Sequence, residues 1–96
     1  MTVEIIKKEL VMNVCIVSTF EGTTEDYMEM FNATKESAQG IMQEYDLGII
    51  REGKVMLMMQ ISDMNKMQEV LSSDEMQAWD EKFNCVDEIY VLDKMN

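Results

Sequence analysis

Apolar positions crowd the stretch LGIIREGKVMLMMQIS, Leu47 to Ser62. The pattern predicts two strands joined by a tight turn at Glu52-Gly53, with Gly supplying a positive φ. In the second strand, Lys54 to Ile61, side chains alternate between the two faces of a sheet. Val55, Leu57, Met59 and Ile61 share one face; Met56, Met58 and Gln60 share the other. A strand with one wet face would alternate apolar and polar residues. This one is apolar on both sides over most of its length, so both faces call for cover.

The same reading extends along the chain. Glu9 to Thr19 forms a first strand, with Leu10, Met12, Val14 and Ile16 opposed to Val11, Asn13, Cys15 and Val17. It too is largely apolar on both sides, which suits a central position. Thr23 followed by Asp26 is a capped helix start, and the helix continues through Tyr27, Met28 and Phe31. Asn32 to Glu36 reads as a break. Ala38, Ile41, Met42 and Tyr45 then fall at helical spacing, with Gly40 as a weak point and Asp46 as the end. After Ile61, Ser62 or Asp63 caps a helix with Met64, Met67, Val70 and Leu71 inward. Ser72 and Glu75 have capping-box spacing for a fresh helix. Met76, Trp79 and Phe83 line its apolar side, Asp80, Glu81 and Lys82 look outward, and Asn84 closes it. Val86 to Met95 is the last strand, with Ile89 and Val91 opposed to Tyr90 and Leu92.

Strand, helix, strand, strand, helix, strand is the split βαβ order. The expected fold is α+β: a four-stranded antiparallel sheet with helices on one face. Right-handed crossovers place the first and third strands in the middle, with the second and last at the edges. Residues 1–96 make one domain with one core. Two helical segments on one face leave the other bare. A second copy of the chain, packed sheet to sheet, would cover it, with Met56, Met58 and Gln60 in the contact.

Composition narrows the chemistry. Eight basic against 19 acidic residues give a net charge of −11. Nucleic-acid phosphates and anionic lipid are therefore set aside as partners. There is no His, which removes the commonest general base and metal ligand. Cys15 and Cys85 show no metal or redox spacing and read as small buried hydrophobes. No metal is expected. The twelve methionines fall on apolar helix faces and in a strand, where core and interface filling explains them better than copper binding. The opening MTVEIIKKEL reads as neither a signal peptide nor a membrane span, so a cytoplasmic location is the default.

This order, this size, the divided second helical segment with its Ser72-Ser73 restart, and a sheet apolar on both faces resemble the ferredoxin-like dimeric α/β-barrel superfamily. The resemblance is one of pattern and spans nearly the whole chain. It implies a homodimer with two sheets face to face. Some such families are cofactor-independent monooxygenases, others degrade haem, and others have no known activity. In the haem-degrading families the site is an Asn on the first strand, a Trp on the last helix and a His. Asn13 and Trp79 match the first two by placement; the chain has no His for the third. No cofactor is expected.

The candidate pocket residues are Asn13, Trp79, Tyr27 and Tyr45, set against ordinary structural roles: a buried amide needs partners, and an aromatic ring is more often core than clamp. No convergent catalytic set is visible. The first expectation is thus a homodimeric module, without catalysis of its own, that binds a small apolar molecule between sheet and helices. The alternatives are a cofactor-independent monooxygenase-like enzyme in the same pocket, and a structural or regulatory protein acting through its acidic surface. A pocket of about 300 Å³ or more holding Asn13 or a Tyr hydroxyl would favour the enzyme, and a solid core the structural protein.

Overall fold

A computed structural model describes residues 12–93. Its elements are β1 (Val14–Thr19), α1 (Thr24–Ser37), β2 (Met42–Arg51), β3 (Lys54–Ile61), α2 (Met64–Leu71), α3 (Asp74–Phe83) and β4 (Val86–Val91). The sheet order is β2-β3-β1-β4, and every neighbouring pair is antiparallel. This is the ferredoxin-like βαββαβ arrangement, with the second helical segment divided in two. The two strands with apolar residues on both faces, β1 and β3, occupy the centre.

Alternation decides what each face meets. Val14, Ile16 and Ser18 of β1, with Val55, Leu57, Met59 and Ile61 of β3, are buried. Tyr27 and Phe31 of α1 and Met67 of α2 join them in one core. The helices therefore lie on this face. Cys15, Val17, Met56, Met58 and Gln60 point the other way and are half-buried. Register places Cys15 opposite Met58 and Val17 opposite Met56, so four apolar side chains form a central strip on the bare face. Large exposed apolar residues sit on both edge strands: Ile49 and Ile50 on β2, and Val86, Ile89, Tyr90 and Val91 on β4.

Local chemistry sets the helix ends. Thr23 and Asp26 form a complete capping box on α1. Asp63 caps α2. Ser73 caps α3, and Ser72, which the spacing offered as the cap, closes α2 instead. Asn84 ends α3 in the left-handed conformation at φ 50°, one that Asn tolerates better than most residues. Gly53 at φ +84° makes the β2–β3 turn, and the Phe20 N–H donates to its carbonyl at 2.8 Å.

Two expected elements differ. Asn32 to Glu36 is not a break: α1 continues to Ser37. The Thr34 hydroxyl donates to the Met30 carbonyl one turn back at 2.9 Å, and Lys35 suits the negative end of the helix dipole. Met42 to Tyr45 is strand rather than helix, despite its helical spacing. The chain reverses at Gly40, φ +81°, and β2 then pairs with β3 from Met42 opposite Ile61 onward. Cross-strand pairing with a largely apolar central strand outweighs a weak helical pattern interrupted by Gly. Part of the expected first strand (residues 9–11) and of the last (residues 94–95) lies outside the described residues. No helix among the described residues is long and apolar enough to cross a membrane.

Candidate functional site

Between the sheet and the three helices lies a narrow cavity of about 40 Å³. Its walls come from Ile16 and Ser18 of β1, Leu57 and Met59 of β3, Tyr27 and Phe31 of α1, and Trp79 of α3. Met30, Met42, Met59, Met67 and Met76 also line it. Thioethers on unbranched chains fill irregular space and repack at small cost. The aromatic side is a connected cluster. Tyr27 stacks on Phe20 at 5.7 Å and on Phe31 at 6.2 Å between centroids. Trp79 lies edge-on to Tyr27 at 6.2 Å and against Phe83 at 4.7 Å.

The polar groups on the cavity wall include two carboxylates, Asp80 from α3 and Asp87 from β4. The buried Ser18 hydroxyl donates to Asp87 Oδ1 at 2.6 Å, and the Cys85 thiol donates to the same oxygen at 3.4 Å. Asp80 Oδ1 is shielded from water and has no hydrogen-bond partner. Burial raises the Asp80 carboxyl above its ordinary value, and the neighbouring Asp87 charge raises it further, against a small lowering by Cys85. Burial, then Asp87, pushes the Cys85 thiol far above the usual thiol range. The Tyr27 phenol is raised mainly by burial and also by Asp87, which places the ring near the acidic wall.

Ligand atoms of Asp80, Cys85 and Asp87 lie within 4.8 Å of one another. Two oxygens and a sulfur are metal-ligand types. One Asp87 oxygen already accepts two hydrogen bonds, from Ser18 and Cys85. A carboxylate with a raised pKa in an apolar cleft can also take a proton from a bound molecule.

A second, open depression of about 490 Å³ runs over the helices, lined by Ala33, Ser37, Ile41, Lys66 and Val70 among others. Thr34 and Met76 border both spaces. The Thr34 hydroxyl lies 3.4 Å from the sulfur of Met76 and 3.4 Å from that of Met30. This pair stands between the groove and the inner cavity.

The structure places the expected residues unequally. Tyr27 and Trp79 line the cavity. Asn13 does not: its amide nitrogen donates to the Ile61 carbonyl at 2.9 Å, and its amide oxygen accepts from the Ile61 N–H at 2.8 Å. Tyr45 also stands off the cavity, edge-on to Phe31 at 5.2 Å, with the Lys35 ammonium 5.7 Å over its ring. Asp80, expected to look outward, faces inward. On α3, positions 76, 80 and 83 follow helical spacing, so Asp80 falls on the same stripe as Met76 and Phe83. Neither space meets both terms of the 300 Å³ criterion. The groove is large enough but has no Asn13 or Tyr; the cavity has Tyr27 but is small.

By sequence, no family model matches the chain, and no curated protein is significantly similar to it. By structure, it is similar to SnoaB, a cofactor-independent oxygenase from Streptomyces nogalater, with a TM-score of 0.62 at 10% identity over 90% of this chain and 96% of that one. An antibiotic biosynthesis monooxygenase gives a TM-score of 0.58 at 9% identity, covering 86% and 99% of the two chains. A protein from Shewanella oneidensis gives 0.55 at 18% identity, covering 85% and 93%. At such identities the likeness establishes the fold.

Proposed function

We propose that the chain forms a homodimeric α/β barrel that binds a small apolar molecule between its sheet and its helices. The observation that carries the reading is the methionine- and aromatic-lined cavity, with a polar wall at Ser18, Asp80 and Asp87. At about 40 Å³ the cavity is closed down, and a guest enters as methionines swing aside. The natural route is from the groove, past Thr34 and Met76. The bare sheet face supports the dimer: there Cys15, Val17, Met56 and Met58 form an apolar strip over which no helix of the described residues lies. Gln60 extends this strip toward the strand end.

A second reading, a cofactor-independent monooxygenase-like enzyme, is favoured by one observation: the Asp80 carboxyl on the cavity wall, raised by burial and by Asp87, could take a proton from a guest. The fold it shares with named oxygenases is compatible with this reading and does not select it. Native mass spectrometry of the protein purified without added ligand tests the principal reading. A dimer that retains a small molecule supports it, and releasing that molecule identifies the guest. A monomer overturns the proposed assembly. Met76→Ala opens the inner partition and is expected to speed guest uptake, read as quenching of Trp79 emission. Unchanged uptake would remove the entry route.

A further inference from the structure

We propose that the guest is a small apolar amine, its ammonium group held by Asp80 and its hydrocarbon body lying against Tyr27, Trp79 and the methionines. This rests on the binding reading above and names the class of molecule that the cavity selects.

Among the described residues Asp80 Oδ1 is shielded from water and makes no hydrogen bond, although the Cys85 thiol lies beside the carboxyl. A carboxylate oxygen removed from water is costly unless a donor or a cation reaches it. The Ser18 hydroxyl and the Cys85 thiol both donate to Asp87 Oδ1. Lys35, the basic residue on the cavity lining, is exposed and holds its ammonium over Tyr45. The second carboxylate, Asp87, adds negative charge within 4.8 Å of Asp80. A neutral donor would meet one oxygen. A cation also offsets the field of both carboxylates. The remaining wall, with Tyr27, Trp79 and the methionines, offers apolar surface for the hydrocarbon body of such a guest. An anionic guest meets repulsion at the same wall. With a net charge of −11, the whole surface also concentrates cations near the entrance.

Four probes share one body and differ in the end group: benzylamine, benzyl alcohol, toluene and benzoate. Binding is measured at neutral pH and moderate salt by ligand-observed NMR on the wild-type protein and on Asp80→Asn. The expected order is benzylamine tightest, then benzyl alcohol, then toluene, with benzoate weakest. A charge-assisted hydrogen bond corresponds to a preference of roughly tenfold or more for benzylamine over toluene. Asp80→Asn, close in shape and uncharged, should lose that preference while keeping toluene. Asp87→Asn provides a second variant, which retains an acceptor for Ser18 and should weaken the preference in part.

Toluene binding as tightly as benzylamine would overturn the amine proposal and leave the apolar-guest reading standing. So would a preference for benzylamine that persists in Asp80→Asn, since the general negative charge would then be its source. Failure of all four probes to bind would overturn the binding reading itself, and the amine proposal with it.

Discussion

Asn13 offers the sharpest test of whether a polar residue in an apolar strand serves the fold or the site. It lies one residue before β1, and its side-chain amide pairs with the backbone of Ile61 at 2.9 and 2.8 Å. A primary amide carries the same donor and acceptor as a peptide group. It therefore extends the β1–β3 ladder by one step, while its own N–H donates to the Met59 carbonyl at 2.9 Å. Asn13→Ala removes both side-chain bonds and strands two backbone groups of Ile61, a residue only 5% exposed. At about 1 kcal/mol net per bond, plus part of the penalty for unpaired groups, the loss should be roughly 2–3 kcal/mol. For a domain of this size that is a fall in Tm of about 10 °C or more. Urea denaturation at fixed protein concentration measures the energy; the fixed concentration matters because a dimer's stability depends on it. Hydrogen exchange at the Ile61 amide measures the cause, since that N–H loses its acceptor. Asn13→Asp keeps the acceptor and loses the donor, so it should restore slow exchange at Ile61 without restoring full stability. A change under about 0.5 kcal/mol with Ile61 exchange unaltered would refute the reasoning, because that is the range of an unremarkable surface substitution. Guest binding should survive in either variant, as Asn13 is absent from the cavity wall.

Three further outcomes follow from the same structure. Met58→Asp sets a charge in the central strip of the bare sheet face and should give monomer or insoluble protein on sizing; a soluble, stable dimer would sink the proposed interface. Gly53→Ala combines a φ of +84° with a new Cβ only 2.7 Å from the Phe20 carbonyl oxygen, so thermal melting should show a loss of about 2 kcal/mol or more. Asp80, whose folded-state carboxyl is raised above its ordinary value of 3.8, holds its proton more tightly folded than unfolded. Its contribution to stability is therefore greatest at low pH and is lost as pH rises through that raised value. Urea midpoints for wild type minus Asp80→Asn should fall in that direction, and a difference independent of pH would refute the assignment.

The fold was largely legible because its central strands leave little choice. A strand apolar on both faces must lie inside a sheet, and two such strands, β1 and β3, fix the order of all four. The errors arose where a local pattern competed with a distant partner. Ala38, Ile41, Met42 and Tyr45 do keep helical spacing, but β3 offered an unpaired edge along its whole length, and β2 took it. The Ser72/Ser73 shift has a smaller cause. Two adjacent hydroxyls can each cap a helix, and the choice depends on where the preceding helix stops.

The acidic wall was missed for a different reason. Period-3.6 spacing already puts Asp80 between Met76 and Phe83, and period-2 spacing puts Asp87 on the same face as Ile89 and Val91. Both carboxylates could have been placed inward by the rules that placed the apolar residues correctly. Asp80 reads as solvated because charge usually is, and Asp87 draws no reading at all, in a chain whose 19 acids make any one of them unremarkable. The informative feature is an acid whose periodicity disagrees with its polarity. Such a residue bears a desolvation cost that an outward-facing acid escapes, and selection for stability alone would replace it with something apolar. Two of them converging from different elements, beside a buried Ser hydroxyl and two aromatic rings, are hard to explain by packing. That places the proposed guest site at the wall of Asp80 and Asp87 rather than at Asn13.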